Sequence, residues 1–186
     1  MRERINKKKR TPKRIILAIC EGETEAAYIE LLKRHYRLPV VIKSKIAGNK
    51  ISQRLVSQYV NELGLSKKDD CIVFFIYDMD IQDIIDTLSG LEGMAILSNP
   101  CIELWFLLHS GCYYKSATSD EIVKTLLKSS PEWHRYKKGS FSYGQQNLLL
   151  SNISVASENA DKLRFPENPS SNMTQFIQIL EELKNR

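Results

Sequence analysis

The sequence predicts an α/β fold: a parallel sheet with flanking helices, followed by a mainly helical C-terminal part. Three observations carry that expectation. Short apolar β-branched runs recur at 14–20, 39–44, 71–77 and 93–98. Segments with helical spacing lie between them, and this alternation builds parallel sheets. After Pro100 no convincing strand follows.

The elements run in order. RIILAIC (14–20) is apolar on both faces, as a buried parallel strand is. It stops at EGET, and from about Thr24 the residues Ala27, Tyr28, Leu31, Leu32 and Tyr36 outline a helix that Pro39 ends. PVVIKS (39–44) is a second strand. Ile51, Leu55, Val56, Tyr59, Val60 and Leu63 mark an amphipathic helix closed by Gly64. CIVFFIY (71–77) is the strongest strand and ends at DMD; a short helix over 81–89 stops at Gly90. GMAILS (93–98) is the fourth strand. CIELWFLLH (101–109) is too apolar all round for a surface helix and reads as buried. Helices follow near 119–129, 142–150, 151–164 and 172–185, with a loop at 165–171 before the last.

The 186 residues suit one domain with a sizeable core, and 42% hydrophobic with 26% charged residues excludes wholesale disorder. Charge is uneven. Residues 1–14 hold eight cationic side chains against Glu3, +7 in all, so the remaining 172 stand at −2 within a total of +5. Residues 1–13 therefore read as a basic arm and 14–186 as the domain, divided into an α/β core (14–110) and a helical extension (111–186). Lys7, Lys8, Lys9 and Arg10 are candidates for phosphate-backbone contact, although a solvated basic terminus has the same composition. Four cysteines without CxxC or zinc spacing fit a reduced, cytoplasmic setting. No run approaches membrane-spanning length.

Two strand ends carry the chemistry. Glu21 follows the first strand; Asp78 and Asp80 end the third. Ligands of open parallel sheets bind outside the carboxyl ends of the strands. If the backbone stays extended, Asp78 and Asp80 point to one side and can share a ligand. Oxygen donors without His or Cys suit Mg²⁺ or Mn²⁺. Singly, Glu21 could serve a helix dipole and the aspartates a turn; together they repel without a cation. Glu25 is either a further ligand or a first-turn carboxylate favourable to the helix dipole. Gly22 is expected to supply a backbone conformation that bulkier residues resist.

The motifs EGETE (21–25), YDMD (77–80), SNPCIELWFLLH (98–109) and NPSSNMTQFIQIL (168–180), in this order, resemble the RloB-like proteins across residues 14–183. That family is placed in the Toprim superfamily, so the resemblance implies a Toprim-like, Rossmann-type sheet. It further implies that Asp78 and Asp80 hold the metal and that Glu21 is a ligand or a general acid/base. A nuclease of a bacterial restriction-linked or abortive-infection system is the implied activity, with defence-system partner proteins. OLD-type nucleases carry a further acid after the fourth strand, about where Glu103 stands. Glu103 is also singled out physically, because a carboxylate in so apolar a helix requires a metal, an arginine or a structural hydrogen bond.

His109, six residues beyond Glu103, is turned roughly 120° away on a continuous helix and cannot meet the same metal. Ser98 and Asn99 could contact phosphate or simply begin a helix. In WHRYKKGSFSYG (133–144), Arg135, Lys137 and Lys138 among aromatics could track a nucleic-acid backbone while rings stack on bases; a surface loop anchored by aromatics explains the composition too. The expectation is a Mg²⁺-dependent nuclease acting on DNA or RNA, with Glu21 and Glu103 catalytic. A non-catalytic nucleic-acid- or partner-binding module is the alternative. Phosphatases with an Asp-x-Asp nucleophile need Thr or Val where Gln82 stands, and nothing indicates a nucleotide-sugar pocket. Oligomeric state, including a homo-oligomer, stays open.

Overall fold

A computed structural model describes residues 14–185; the basic arm, with Lys7, Lys8, Lys9 and Arg10, lies outside the described residues. Among these, the fold is mixed α/β, with a five-stranded, mostly parallel sheet and eight α-helices. The strands are β1 (Arg14–Cys20), β2 (Val41–Ile46), β3 (Asp70–Asp78), β4 (Met94–Asn99) and β5 (Ser170–Ser171). Their order is β2-β1-β3-β4-β5, parallel except for the antiparallel pair β4–β5.

β1 and β3 lie side by side in the interior of the sheet, which is why both read as continuous apolar runs. Ile16, Ala18 and Cys20 of β1 face one core; Leu17 and Ile19 face the other. The second face is covered by α2 (Gln53–Glu62) and α3 (Gln82–Ser89) through Val56, Ile84 and Leu88. The first is covered by α1 (Glu23–Tyr36), α4 (Ile102–Leu108) and the later helices α5 (Ser119–Ser129), α6 (Tyr143–Ser151), α7 (Ile153–Ala160) and α8 (Met173–Lys184).

The helical extension is thus part of the main core rather than an appendage. One apolar cluster runs from Ile16 to Leu183, and Phe176 of α8 packs edge-on to Phe74 of β3 at 4.9 Å. The loop expected over 165–171 ends in β5, whose Ser170 and Ser171 pair with Asn99 and Ser98. Beside it, Asn172 extends the pairing with a side chain: Oδ1 accepts from the Leu97 N–H (2.6 Å) and Nδ2 donates to the Ala95 carbonyl (3.0 Å). No described helix is long and apolar enough to cross a membrane.

Candidate active site

Parallel pairing of β1 with β3 places Cys20 opposite Ile76, so both strands end at the same edge. The Glu21 N–H still donates to the Ile76 carbonyl (3.0 Å), and its Oε2 accepts from the Asp78 N–H (3.0 Å). The first and third strand ends are therefore tied through Glu21 itself. Asp78 Oδ1 accepts from the Ile102 N–H (2.8 Å), one of the orphan donors at the start of α4. That contact fixes α4 on the same edge and carries Glu103, one residue further on, into the interior.

Glu103 is fully buried. Its Oε1 accepts from the Tyr136 hydroxyl (2.9 Å) and lies 3.7 Å from the Lys138 ammonium; its Oε2 has no hydrogen-bond partner. Glu25 is also buried, its Oε2 accepting from the Gly22 N–H (2.9 Å) at the start of α1. Four carboxylates from three separated segments thus crowd one sheet edge, and their electrostatics agree. Burial pushes the Asp78 carboxyl well above its usual range, and the charges of Glu25, Glu21 and Glu103 add to that. Burial raises Glu21 and Glu25 as well; Asp80 adds to the first, Glu21 and Glu103 to the second.

Asp80 stands apart. β3 ends at Asp78 and the chain bends at Met79 and Asp80, so the extended backbone that would align the two aspartates is absent. Asp80 is exposed, on the wall of a cavity of about 410 Å³ shared with Asn99, Thr118 and Asn168. Gly22 also differs from expectation: its φ of −141° is ordinary extended backbone. Its lack of a side chain matters for space instead, because a Cβ would stand 3.2 Å from Glu25 Oε2.

The remaining candidates divide. Ser98 is buried with its hydroxyl on Ser171 (2.9 Å), and Asn99 donates to the Pro166 carbonyl (2.9 Å), so both hold β5 and its approach. His109 caps α4, buried, with Nδ1 2.8 Å from the Trp105 carbonyl. Arg135 and Lys137 are exposed. Three of the aromatics around them are not free to stack on bases, since Trp133 and Tyr136 are buried and Phe141 packs with them around Phe106, whereas Tyr143 is exposed. Those three form the anchor that aims Tyr136 at Glu103.

Composition did not disclose two members of this arrangement. Thr24 accepts from the Gly139 N–H through Oγ1 (3.0 Å), and Tyr136 bonds Glu103. A Lys-Gly pair at 138–139 was the legible sign of a turn there. Lys138, expected on a nucleic-acid track, is exposed with its ammonium 3.7 Å from Glu103 Oε1.

The match to known proteins now bears on this geometry. A family model described as RloB-like protein matches residues 16–183. The chain belongs to the RloB-like family. Neither the curated proteins nor the solved structures yield a significant match. The family match spans β1 to α8 and so includes each acid of the cluster.

The all-oxygen donors suit a hard divalent cation in kind, and Glu103 Oε2 is a buried acceptor without a hydrogen-bond partner. In spacing they are not drawn together: among the described residues, no three His, Cys, Asp or Glu side chains converge closely enough to hold an ion.

Proposed function

We propose that this RloB-like chain hydrolyses nucleic-acid phosphodiester bonds with Mg²⁺ or Mn²⁺, in a Toprim-like arrangement. The observation that carries the proposal is the crowding of Glu21, Glu25, Asp78 and Glu103 at one sheet edge, where burial and neighbouring charge oppose ionisation of Glu21, Glu25 and Asp78. Such a cluster is costly to fold around unless a cation relieves it. Glu21 and Asp78 would hold the ion, with Glu25, Glu103 and the exposed Asp80 in reserve. When bound, it would polarise the phosphoryl group and offset charge on the leaving oxygen.

The chain's own residues would do the rest. Asp78 fixes the start of α4 and so the depth of Glu103. Glu21, its carboxyl raised by burial, is the candidate for proton transfer. Exposed Arg135 and Lys137, with the arm residues Lys7, Lys8, Lys9 and Arg10, would follow the substrate backbone. A role in bacterial defence, with partner proteins of such a system, belongs to the same proposal and rests on the family resemblance.

The test is to incubate the full chain with single-stranded DNA, duplex DNA and RNA, in Mg²⁺, Mn²⁺ or EDTA. Cleavage is expected with either metal and not with EDTA. Glu21→Gln should lower kcat by about 10²- to 10⁴-fold, the range of a lost proton-transfer group, and Asp78→Asn should abolish metal dependence. Binding of nucleic acid without cleavage, unchanged in both variants, would replace the enzyme with a binding module.

A further inference from the structure

The turn over residues 164–167 presents an aromatic ring that the core does not use. The Glu167 N–H donates to the Arg164 carbonyl (2.7 Å), and the Asn99 side chain donates to the Pro166 carbonyl (2.9 Å). The turn is thereby pinned to the end of β4, and Phe165 at its corner stays 44% exposed. Phe165 stands on the wall of a second cavity of about 410 Å³, between the end of α7 and the first turns of α8. Gln175 and Gln178 line the same cavity, three residues apart and so neighbours on the helix surface. Thr174 lines it too; it is buried, and its Oγ1 has no hydrogen-bond partner among the described residues.

Both the place and the lining of this cavity are informative. Across the sheet Asp78 of β3 lies in register with Ser98 of β4, and Ser98 with Ser171 of β5, which borders the cavity. Two strand spacings, about 10 Å, thus separate the backbone at Asp78 from that border. A strand presenting a phosphate to the acids can therefore place a nearby nucleotide at the cavity. Among the described residues lining it there is no lysine or arginine, whereas Asp161 contributes a carboxylate, so a phosphate is disfavoured there. The Asn172 amide is committed to β4. Gln178 and Gln175 are exposed, the second touched only by a 3.5 Å contact from Asn172. A carboxamide carries donors and an acceptor together, as the edge of a nucleobase does, and an aromatic face matches its plane. The unmet Thr174 hydroxyl favours a polar occupant over an aliphatic one.

We propose that this cavity seats one unpaired nucleobase of the substrate strand, stacked on Phe165 and met at its edge by Gln175 and Gln178. The seat rests on the nucleic-acid reading above and narrows its substrate to a strand with an unpaired base near the acid edge, rather than continuous duplex. Plane and edge hold the base without any charge, so the seat fills without a metal.

Fluorescence anisotropy of the full chain in EDTA tests this, at moderate ionic strength, where general phosphate attraction is reduced. The probes are a labelled single-stranded DNA, the same strand annealed as duplex, and an abasic strand of the same length. Wild type is expected to prefer the single strand to both others. Phe165→Ala should weaken single-strand binding about tenfold, the order of one lost base–aromatic stack, and Phe165→Tyr should stay near wild type. Gln178→Ala should cost about fivefold, as for a lost hydrogen bond. Met94→Ala, at the opposite end of β4, should bind as wild type does, and the abasic strand should not distinguish Phe165→Ala from wild type. Unchanged single-strand binding in Phe165→Ala would overturn the seat and leave the nucleic-acid reading standing. An equal loss on the abasic strand would assign the effect to the backbone and overturn it too, as would equal wild-type affinity for duplex and single strand. Failure of wild type to bind any strand would remove the nucleic-acid reading and the seat together.

Discussion

At His109 the chain buries an imidazole whose Nδ1 meets the Trp105 carbonyl and whose Nε2 has no partner. Burial pushes its pKa down to about 4, against the opposing pull of the Trp105, Leu149 and Phe106 backbone. A proton bound there would need water that the core does not offer. Because the folded pKa lies below the ordinary value of 6.5, the unfolded chain takes up the proton first. Stability is therefore fully present above about pH 6.5 and declines as pH falls toward 4, by at most about 3 kcal/mol. Urea unfolding at pH 7, 6 and 5 should show this slope, and His109→Gln should flatten it relative to wild type. The carboxylates raised by burial titrate with the opposite sign, so the difference between the two proteins isolates the imidazole. Helical periodicity turns His109 away from Glu103 on α4; its burial edge-on to Trp105 was not legible, because it depends on the segment around Leu149 and Asn152 closing over it.

The turn of residues 137–140 shows how far element-scale reasoning carries. Sequence patterning located the four parallel strands and most helices to within a few residues, since each is a run of apolar side chains with its own period. β5 escaped because two serines have no period at all. The acids at the ends of β1 and β3 were legible from position alone, and Glu103 from the cost of burying a carboxylate. What joins them was not: Tyr136, Thr24 and Gly139 reach the site by contacts spanning 33 and 115 positions. Tyr136→Phe should reveal this linkage. It leaves the ring stacked within the aromatic cluster but strips Glu103 Oε1 of its hydroxyl donor. The expected loss is about 1–3 kcal/mol of unfolding free energy, as for a buried acceptor left unmet. Thermal denaturation in EDTA would measure it, and saturating Mn²⁺ should recover part of the loss if the ion takes up the orphaned oxygen.

For the whole molecule, the decisive fact is that one core serves both the sheet and the C-terminal helices. Leu180 and Leu183 share a cluster with Ile16 and Tyr28, so α8 lies against the same face as β1 and α1. A division near residue 110 describes composition well and packing poorly. Removing residues 165–186 should therefore not yield a smaller stable domain. It would strip Met173, Phe176, Ile177, Leu180 and Leu183 from the core, each worth roughly 1.5–3 kcal/mol of burial, against the 5–15 kcal/mol that typically holds a domain together. Near-ultraviolet circular dichroism of the truncated chain should show lost aromatic packing, and retention of the wild-type signal would contradict the core shared by the sheet and α8.

Asn172 has a consequence for how molecules of this protein meet one another. A sheet edge offers bare amides and carbonyls to any passing strand, and a long flat edge invites stacking of chain upon chain. At β4 that invitation is withdrawn by one carboxamide, which occupies the Leu97 and Ala95 groups as a further strand would, with β5 covering the rest. The opposite border, β2, carries exposed Lys43 and a Lys45 paired with Glu62 (2.6 Å), and charged side chains on an edge strand discourage a second copy from pairing there. The sheet is thus finished at one border by a side chain and guarded at the other by charge, which leaves crowded molecules little purchase for fibrous growth.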